Sequence, residues 1–240
     1  MRIMVINPNS TTTMTAQIRR SAEAYAFGGT VIEAANPVGT PRSIEGYSDE
    51  ARAVPAVLDL IEDGQGRGAQ GFVIACFDDP GLAAAREVAH GPVVGICQAA
   101  VQVAVTISNR FSIITTLPRS VPIIEDLVDS YGASTRCRSV RAVDMPVLEL
   151  EQHPDTAEFR LLREIEAARD IDGAEAAILG CAGMSELCER LATKSGVPVI
   201  DGVVAAVKLV EGLVAAGHAT SKLGSYDFPR LKEVVSHGVL

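Results

Sequence analysis

Two thiols occupy matching settings in this chain. Cys76 closes the apolar run VIAC and is followed by FDDPGL, and Cys181 closes ILGC and is followed by AGMSEL. Each therefore lies where a strand-like run gives way to a turn, with a helical segment just beyond. A single cysteine in such a place reads as a small buried hydrophobe. Two at equivalent places read as a pair with chemistry to do: one removes a proton from carbon beside a carbonyl, and the other returns a proton to the opposite face. The outcome is racemisation or epimerisation. Thiols suit the task because their ordinary pKa of about 8.5 lets one be thiolate and the other thiol. A helix N-terminus favours the thiolate, and its N–H groups can also hold an enolate oxygen. No cofactor is required by such a scheme. Of the remaining cysteines, Cys97 in VVGICQAA reads as core, Cys188 as packing on the helix after Cys181, and Cys137, between two arginines, as partly exposed.

The elements that must position the two thiols alternate along the chain. RIMVIN, GTVIEAAN, GFVIAC and PVVGIC are strand-like, and TTTMTAQIRRSAEAYA, SDEARAVPAVLDLIEDG and DPGLAAAREVAHG are helix-like, which predicts βαβ units and a parallel sheet. Asp79 is expected to cap the helix after Cys76, with Pro80 in its first turn. The pattern then restarts: FSIITTLPRS resembles MRIMVINPNS, and AAILGCAGMSELCERLATKSGVPVID aligns with GFVIACFDDPGLAAAREVAHGPVVGI. Cys76 precedes Pro92 by 16 residues, and Cys181 precedes Pro198 by 17, so the two halves keep nearly the same spacing. An internal duplication predicts an α/β fold of two pseudo-symmetric Rossmann-like lobes, each a mainly parallel sheet flanked by helices, with the active site in the cleft between them. The expected division is residues 1–105 plus 206–240 for the lobe with Cys76 and 106–205 for the lobe with Cys181. VVAAVKLVEGLVAAG is read as a helix crossing back to the first lobe, residues 141–155 as a connection, and GQGRG at 64–68 as a helix-to-strand link, since it precedes a strand instead of following one.

Composition narrows the class. The chain has 240 residues, enough for one large or two small domains, and with 48% apolar residues but no tryptophan its core must be aliphatic. A net charge of −9 without a basic cluster argues against nucleic acid as a partner. No apolar segment approaches the roughly 20 residues needed to span a bilayer, and the N-terminus does not read as a signal peptide. Five cysteines without CxxC spacing and four scattered histidines support neither a disulfide framework nor a metal site. The expectation is a cytoplasmic protein without membrane association.

Several motifs carry a family resemblance that runs nearly the length of the chain: INPNS, SIEGYSDEA, VIACFDDPGL, PVVGICQAA, RFSIITTL, ILGCAGM, GVPVIDGV and TSKLGSY. In these the chain resembles the Asp/Glu racemase superfamily, within it the hydantoin and allantoin racemase group. The resemblance implies cofactor-independent, two-base racemisation at C5 of 5-substituted hydantoins, with Cys76 and Cys181 as opposed acid and base and a small hydantoin-type molecule as substrate. Asn9, Ser10, Ser43, Ile44, Phe77, Thr115, Thr116, Ala182 and Gly183 then become candidate substrate contacts. Asn7 reads as turn chemistry. Two residues depart from the family pattern. Asp78 stands where glycine is usual and is expected to face solvent or join in capping, because a carboxylate pointing inward would disfavour thiolate at Cys76; Gln98 stands where glutamate is usual. Allantoin racemisation is the nearest alternative activity. Amino-acid racemisation of the Asp/Glu type, and decarboxylation or isomerisation on the same fold, come next, and a ligand-binding protein without catalysis is the alternative from another class. The resemblance also implies a homo-oligomer.

Overall fold

The computed structural model describes residues 1–230 and 232, so the end of the 206–240 assignment lies outside the described residues. The first half runs β1 (Arg2–Ile6), α1 (Thr12–Tyr25), β2 (Val31–Ala35), α2 (Tyr47–Gly66), β3 (Gly71–Ile74), α3 (Leu82–Val88), β4 (Val93–Gly95) and α4 (Ile96–Ile107). The second runs β5 (Phe111–Thr115), α5 (Val121–Ser130), β6 (Cys137–Ala142), the short α6 (Glu149–Gln152), α7 (Pro154–Asp170), β7 (Ala176–Leu179), α8 (Cys188–Ser195), β8 (Val199–Asp201) and α9 (Gly202–Ala215). Each half folds into a four-stranded parallel sheet, ordered β2-β1-β3-β4 and β6-β5-β7-β8. The two orders are the same.

The central strands β1, β3, β5 and β7 are predominantly apolar because helices cover both faces, and their residues are almost wholly buried, Ser112 and Thr115 of β5 included. The last helix of each half crosses to the other sheet: α9 packs on β3, and α4 packs on β7. The return of α9 was expected; the matching exchange by α4 was not. The two exchanged helices meet at their starts, where a Cβ on Gly202 would lie 2.7 Å from the carbonyl oxygen of Ile96. Only glycine permits that approach. The 141–155 stretch is less irregular than expected, since β6 reaches Ala142, α6 occupies its middle and α7 begins at Pro154. Residues 64–68 do form a helix-to-strand link, α2 ending at Gly66 with Arg67 as its C-cap.

Among the described residues no helix is long and apolar enough to cross a membrane.

Candidate active site

Cys76 follows β3 by two residues and Cys181 follows β7 by two, so the duplicated strands deliver both thiols to the carboxyl ends of their sheets. Both line one cavity between the halves, with about 30 Å³ of free space, room for roughly one water. The cavity walls include Asn9, Ile44, Phe77, Thr115, Thr116 and Ala182. The remaining three candidates stand back from it. Ser10 donates its hydroxyl to the carbonyl of Thr40 at 2.9 Å, bracing the loop that carries Ile44. Ser43 lies in that loop beside Ile44 without lining the cavity. Gly183 lies behind Cys181, where a Cβ would come 3.7 Å from the sulfur.

Asn9 is held in one orientation. Its side-chain oxygen accepts the Asn7 amide at 3.0 Å and the Thr11 N–H at 2.9 Å, which leaves its own NH₂ turned toward Met14, another cavity residue, at 3.2 Å from the sulfur. Asn7 is spent on the turn, bonding Asn9, Thr11 and Thr15.

Burial raises both thiols. Cys76 is pushed well above its ordinary value by burial first and then by the Asp78 charge, with the Asp78 backbone N–H working the other way. Cys181 is pushed up to about 12, again mainly by burial, while the Gly183 backbone N–H opposes the shift. Each thiol thus has one N–H of its own turn to steady a thiolate, in the same position of the repeat.

Asp78 does not face solvent. It lines the cavity, and burial, followed by the charges of Glu50 and Asp79, pushes its carboxyl up to about 7. The repeat places Gly183 at the equivalent position in the other half, so this carboxyl has no counterpart in the turn after Cys181, although its charge also raises Cys181 across the cavity. Asp79 does not cap α3 either; that helix starts at Leu82 after Gly81. Asp79 sits at φ 44°, a left-handed conformation that Asp tolerates better than most residues, and turns its buried carboxylate onto α4. There it accepts the N–H groups of Cys97 at 3.1 Å and Gln98 at 2.9 Å, and the Tyr131 hydroxyl at 2.7 Å. Gln98 accepts Arg86 at 2.6 Å through its side-chain oxygen.

Sequence reasoning missed Met14, Asp78, Ser120 and Val147 as cavity residues. Ser120 was legible through the repeat, because TLPRS aligns with INPNS and sets Ser120 opposite Ser10. The other thiols are where expected: Cys97 is fully buried, Cys137 is partly exposed, and Cys188 begins α8 with its sulfur 3.1 Å from the Val199 carbonyl. Among the described residues no three His, Cys, Asp or Glu side chains converge as metal ligands.

The profile of the Asp/Glu/Hydantoin racemase family matches residues 3–210, which includes both sheets and the whole cavity. The chain belongs to the Asp/Glu/hydantoin racemase family. This racemase is 62% identical to a hydantoin racemase of Rhizobium meliloti, over 100% of its own length and 99% of the relative's. It is 47% identical to a hydantoin racemase of a Pseudomonas species, strain NS671, over 98% and 94% of the two chains. Among solved structures it is similar to an allantoin racemase from Klebsiella pneumoniae, with a TM-score of 0.95 and 47% identity over 98% of this chain and 96% of that one.

Proposed function

We propose that this racemase inverts C5 of 5-substituted hydantoins, with Cys76 and Cys181 as opposed acid and base. The observation that carries the reading is that two thiols from equivalent positions of a duplicated unit line one cavity. The C5 hydrogen of the ring lies beside the C4 carbonyl. The thiolate on one face takes the C5 proton, the electron pair moves into the carbonyl to give an enolate, and the opposite thiol delivers its proton to the other face. Turnover leaves thiol and thiolate exchanged, ready for the mirror-image substrate. High thiol pKa values serve this step, because the thiolate so formed is a stronger base toward carbon. The Asn9 amide and the hydroxyls of Thr116 and Ser120 are suited to the ring's carbonyl edges, and Ile44, Phe77 and Ala182 to its flat apolar surface. Thr115 and Gly183 support the turn around Cys181, and Ser10 and Ser43 the loop around Ile44.

The wall chemistry favours an uncharged ring over a free amino acid. No Lys, Arg or His lines the cavity among the described residues, whereas a free carboxylate would need a cation or a ring of N–H donors. Allantoin, a hydantoin bearing a ureido group at C5, is the second reading, supported by the likeness to the Klebsiella enzyme. Loss of optical rotation from L-5-benzylhydantoin and (S)-allantoin tests both. Rotation retained with each, beside racemisation of aspartate or glutamate, would move the assignment to amino acids.

We further infer that the working units are residues 1–105 plus 206–240 and 106–205, that the enzyme acts in the cytoplasm, where its five thiols stay reduced, and that it is a homo-oligomer. Exposed Ile107, beside Val103 and Leu209 in an apolar groove between α4 and α9, supports the last point. Sedimentation at the monomer mass would contradict it.

A further inference from the structure

The cavity between the thiols is too small for the ring it is proposed to take. About 30 Å³ accommodates roughly one water, while clefts that bury small organic ligands run to about 300 Å³ or more. The walls must therefore part, and the contacts that hold them together are identifiable. Ile44 and Val147 both line the cavity, one from each half of the chain. They are joined through the neighbour of the first: the Val147 N–H donates to Glu45 Oε1 at 2.9 Å, across 102 residues of sequence. Two further contacts brace the same seam. Thr13 donates its hydroxyl to Glu151 Oε2 at 2.9 Å, and the Arg119 guanidinium lies so close over Gly46 that a Cβ there would sit 2.8 Å from its nitrogen.

We infer that Glu45 is a positioning residue that, by holding the Val147 backbone, closes an Ile44–Val147 wall over the cavity and sets the size of 5-substituent the enzyme accepts. This rests on the hydantoin reading above. The bond is the kind that can open and close during turnover: a single charge-assisted hydrogen bond donated by a loop amide to a partly exposed carboxylate. Neither residue lies within a regular strand or helix, so parting them breaks no ladder. Val147 follows Pro146 in the segment between β6 and α6, and Glu45 precedes α2, so each wall piece is carried at the end of a connection. Apolar residues on both sides of the seam suit an alkyl or aryl substituent.

The test compares wild type, Glu45→Ala and Glu45→Gln. Hydrogen–deuterium exchange reports the Val147 amide, with amides of β1 as a control for the fold. The ratio of kcat/KM for 5-benzylhydantoin to that for 5-methylhydantoin reports the wall. In Glu45→Ala the Val147 amide should lose about ten-fold in protection, as expected for loss of one hydrogen bond to a charged acceptor. The ratio should shift toward the bulky substrate by a similar factor, mainly through KM. Glu45→Gln, whose amide oxygen still accepts the bond but without the charge, should fall between wild type and Glu45→Ala, about three-fold from wild type in both readouts. Val147→Ala should raise the ratio as well, since it enlarges the same wall without touching Glu45. An unchanged ratio in Glu45→Ala, with wild type active on both hydantoins, would overturn the inference. So would unchanged Val147 protection. Wild type inactive on both compounds would instead overturn the hydantoin reading itself, and the protection data would still decide whether Glu45 holds Val147.

Discussion

A carboxyl group beside a thiol sets the pH at which that thiol ionises, and Asp78 stands beside Cys76 with no counterpart next to Cys181. Its own pKa is raised to about 7 by burial and then by Glu50 and Asp79, so its charge develops as the pH passes through neutrality. There it opposes the thiolate of Cys76. Asp78→Asn removes that charge, so the pH midpoint for alkylation of Cys76 by iodoacetamide, followed by peptide mapping, should fall; a midpoint unmoved would show that the charge does not reach the sulfur. The same shift links to stability. Between the unperturbed carboxyl value near 3.8 and the folded value of about 7, the folded state holds a proton at Asp78 that the unfolded chain has released. That contribution is complete below the lower value and is lost as pH rises through the upper one. The Tm of Asp78→Asn should therefore gain on that of wild type as pH is raised from about 4 to about 7.5. Sequence reading brought Cys76 and Cys181 to one cavity, as the structure does, but sent Asp78 outward, because a carboxylate facing a thiol looks costly until burial raises its pKa toward neutrality.

At the scale of elements, the turn after Cys76 and the start of α4 are built as one piece. Gly95 has no side chain to cap α4, and the carboxylate of Asp79 takes the place such a chain would fill: a Cβ on Gly95 would lie 2.2 Å from Asp79 Cγ. The second half solves the same problem locally, Asp201 capping α9 through the Val203 N–H at 2.8 Å. Gly95→Ala should then cost about 1–3 kcal/mol in denaturant unfolding, through overpacking and loss of the cap, and should lower kcat because the displaced Asp79 lies three residues from Cys76. Gly212→Ala, in α9 with no atom within 4 Å of the added methyl, is the matched control. It should be neutral or stabilising by up to about 1 kcal/mol. Equal losses in both variants would contradict the proposed coupling. Periodicity and turn residues made the strands and long helices legible, but the cap was misread. Asp79 precedes α3 in sequence and touches α4 only after the chain has folded, and local rules score only the first relation.

For the whole molecule, duplication was the most informative signal. The repeat of apolar strand, proline turn, cysteine, helix and Pro-Val strand predicted two pseudo-symmetric lobes, and the two parallel sheets have the same strand order. Repeat logic had only to be carried further to foresee that α4 would cross over as α9 does. The seam between the halves was not legible, because Glu45 and Val147 are each unremarkable in their own segments and meet only across the assembled cleft. We propose that the symmetry serves the chemistry as a division of labour, one thiol for each face of one carbon. Proton NMR in D₂O tests this most directly, following exchange of the C5 proton of separate L- and D-5-benzylhydantoin with wild type, Cys76→Ser and Cys181→Ser. Wild type should exchange both enantiomers with loss of optical rotation. Each variant should lose racemisation, with any residual exchange confined to one enantiomer and that enantiomer opposite in the two variants. Racemisation at the wild-type rate by either variant would rule out one thiol acting at each face.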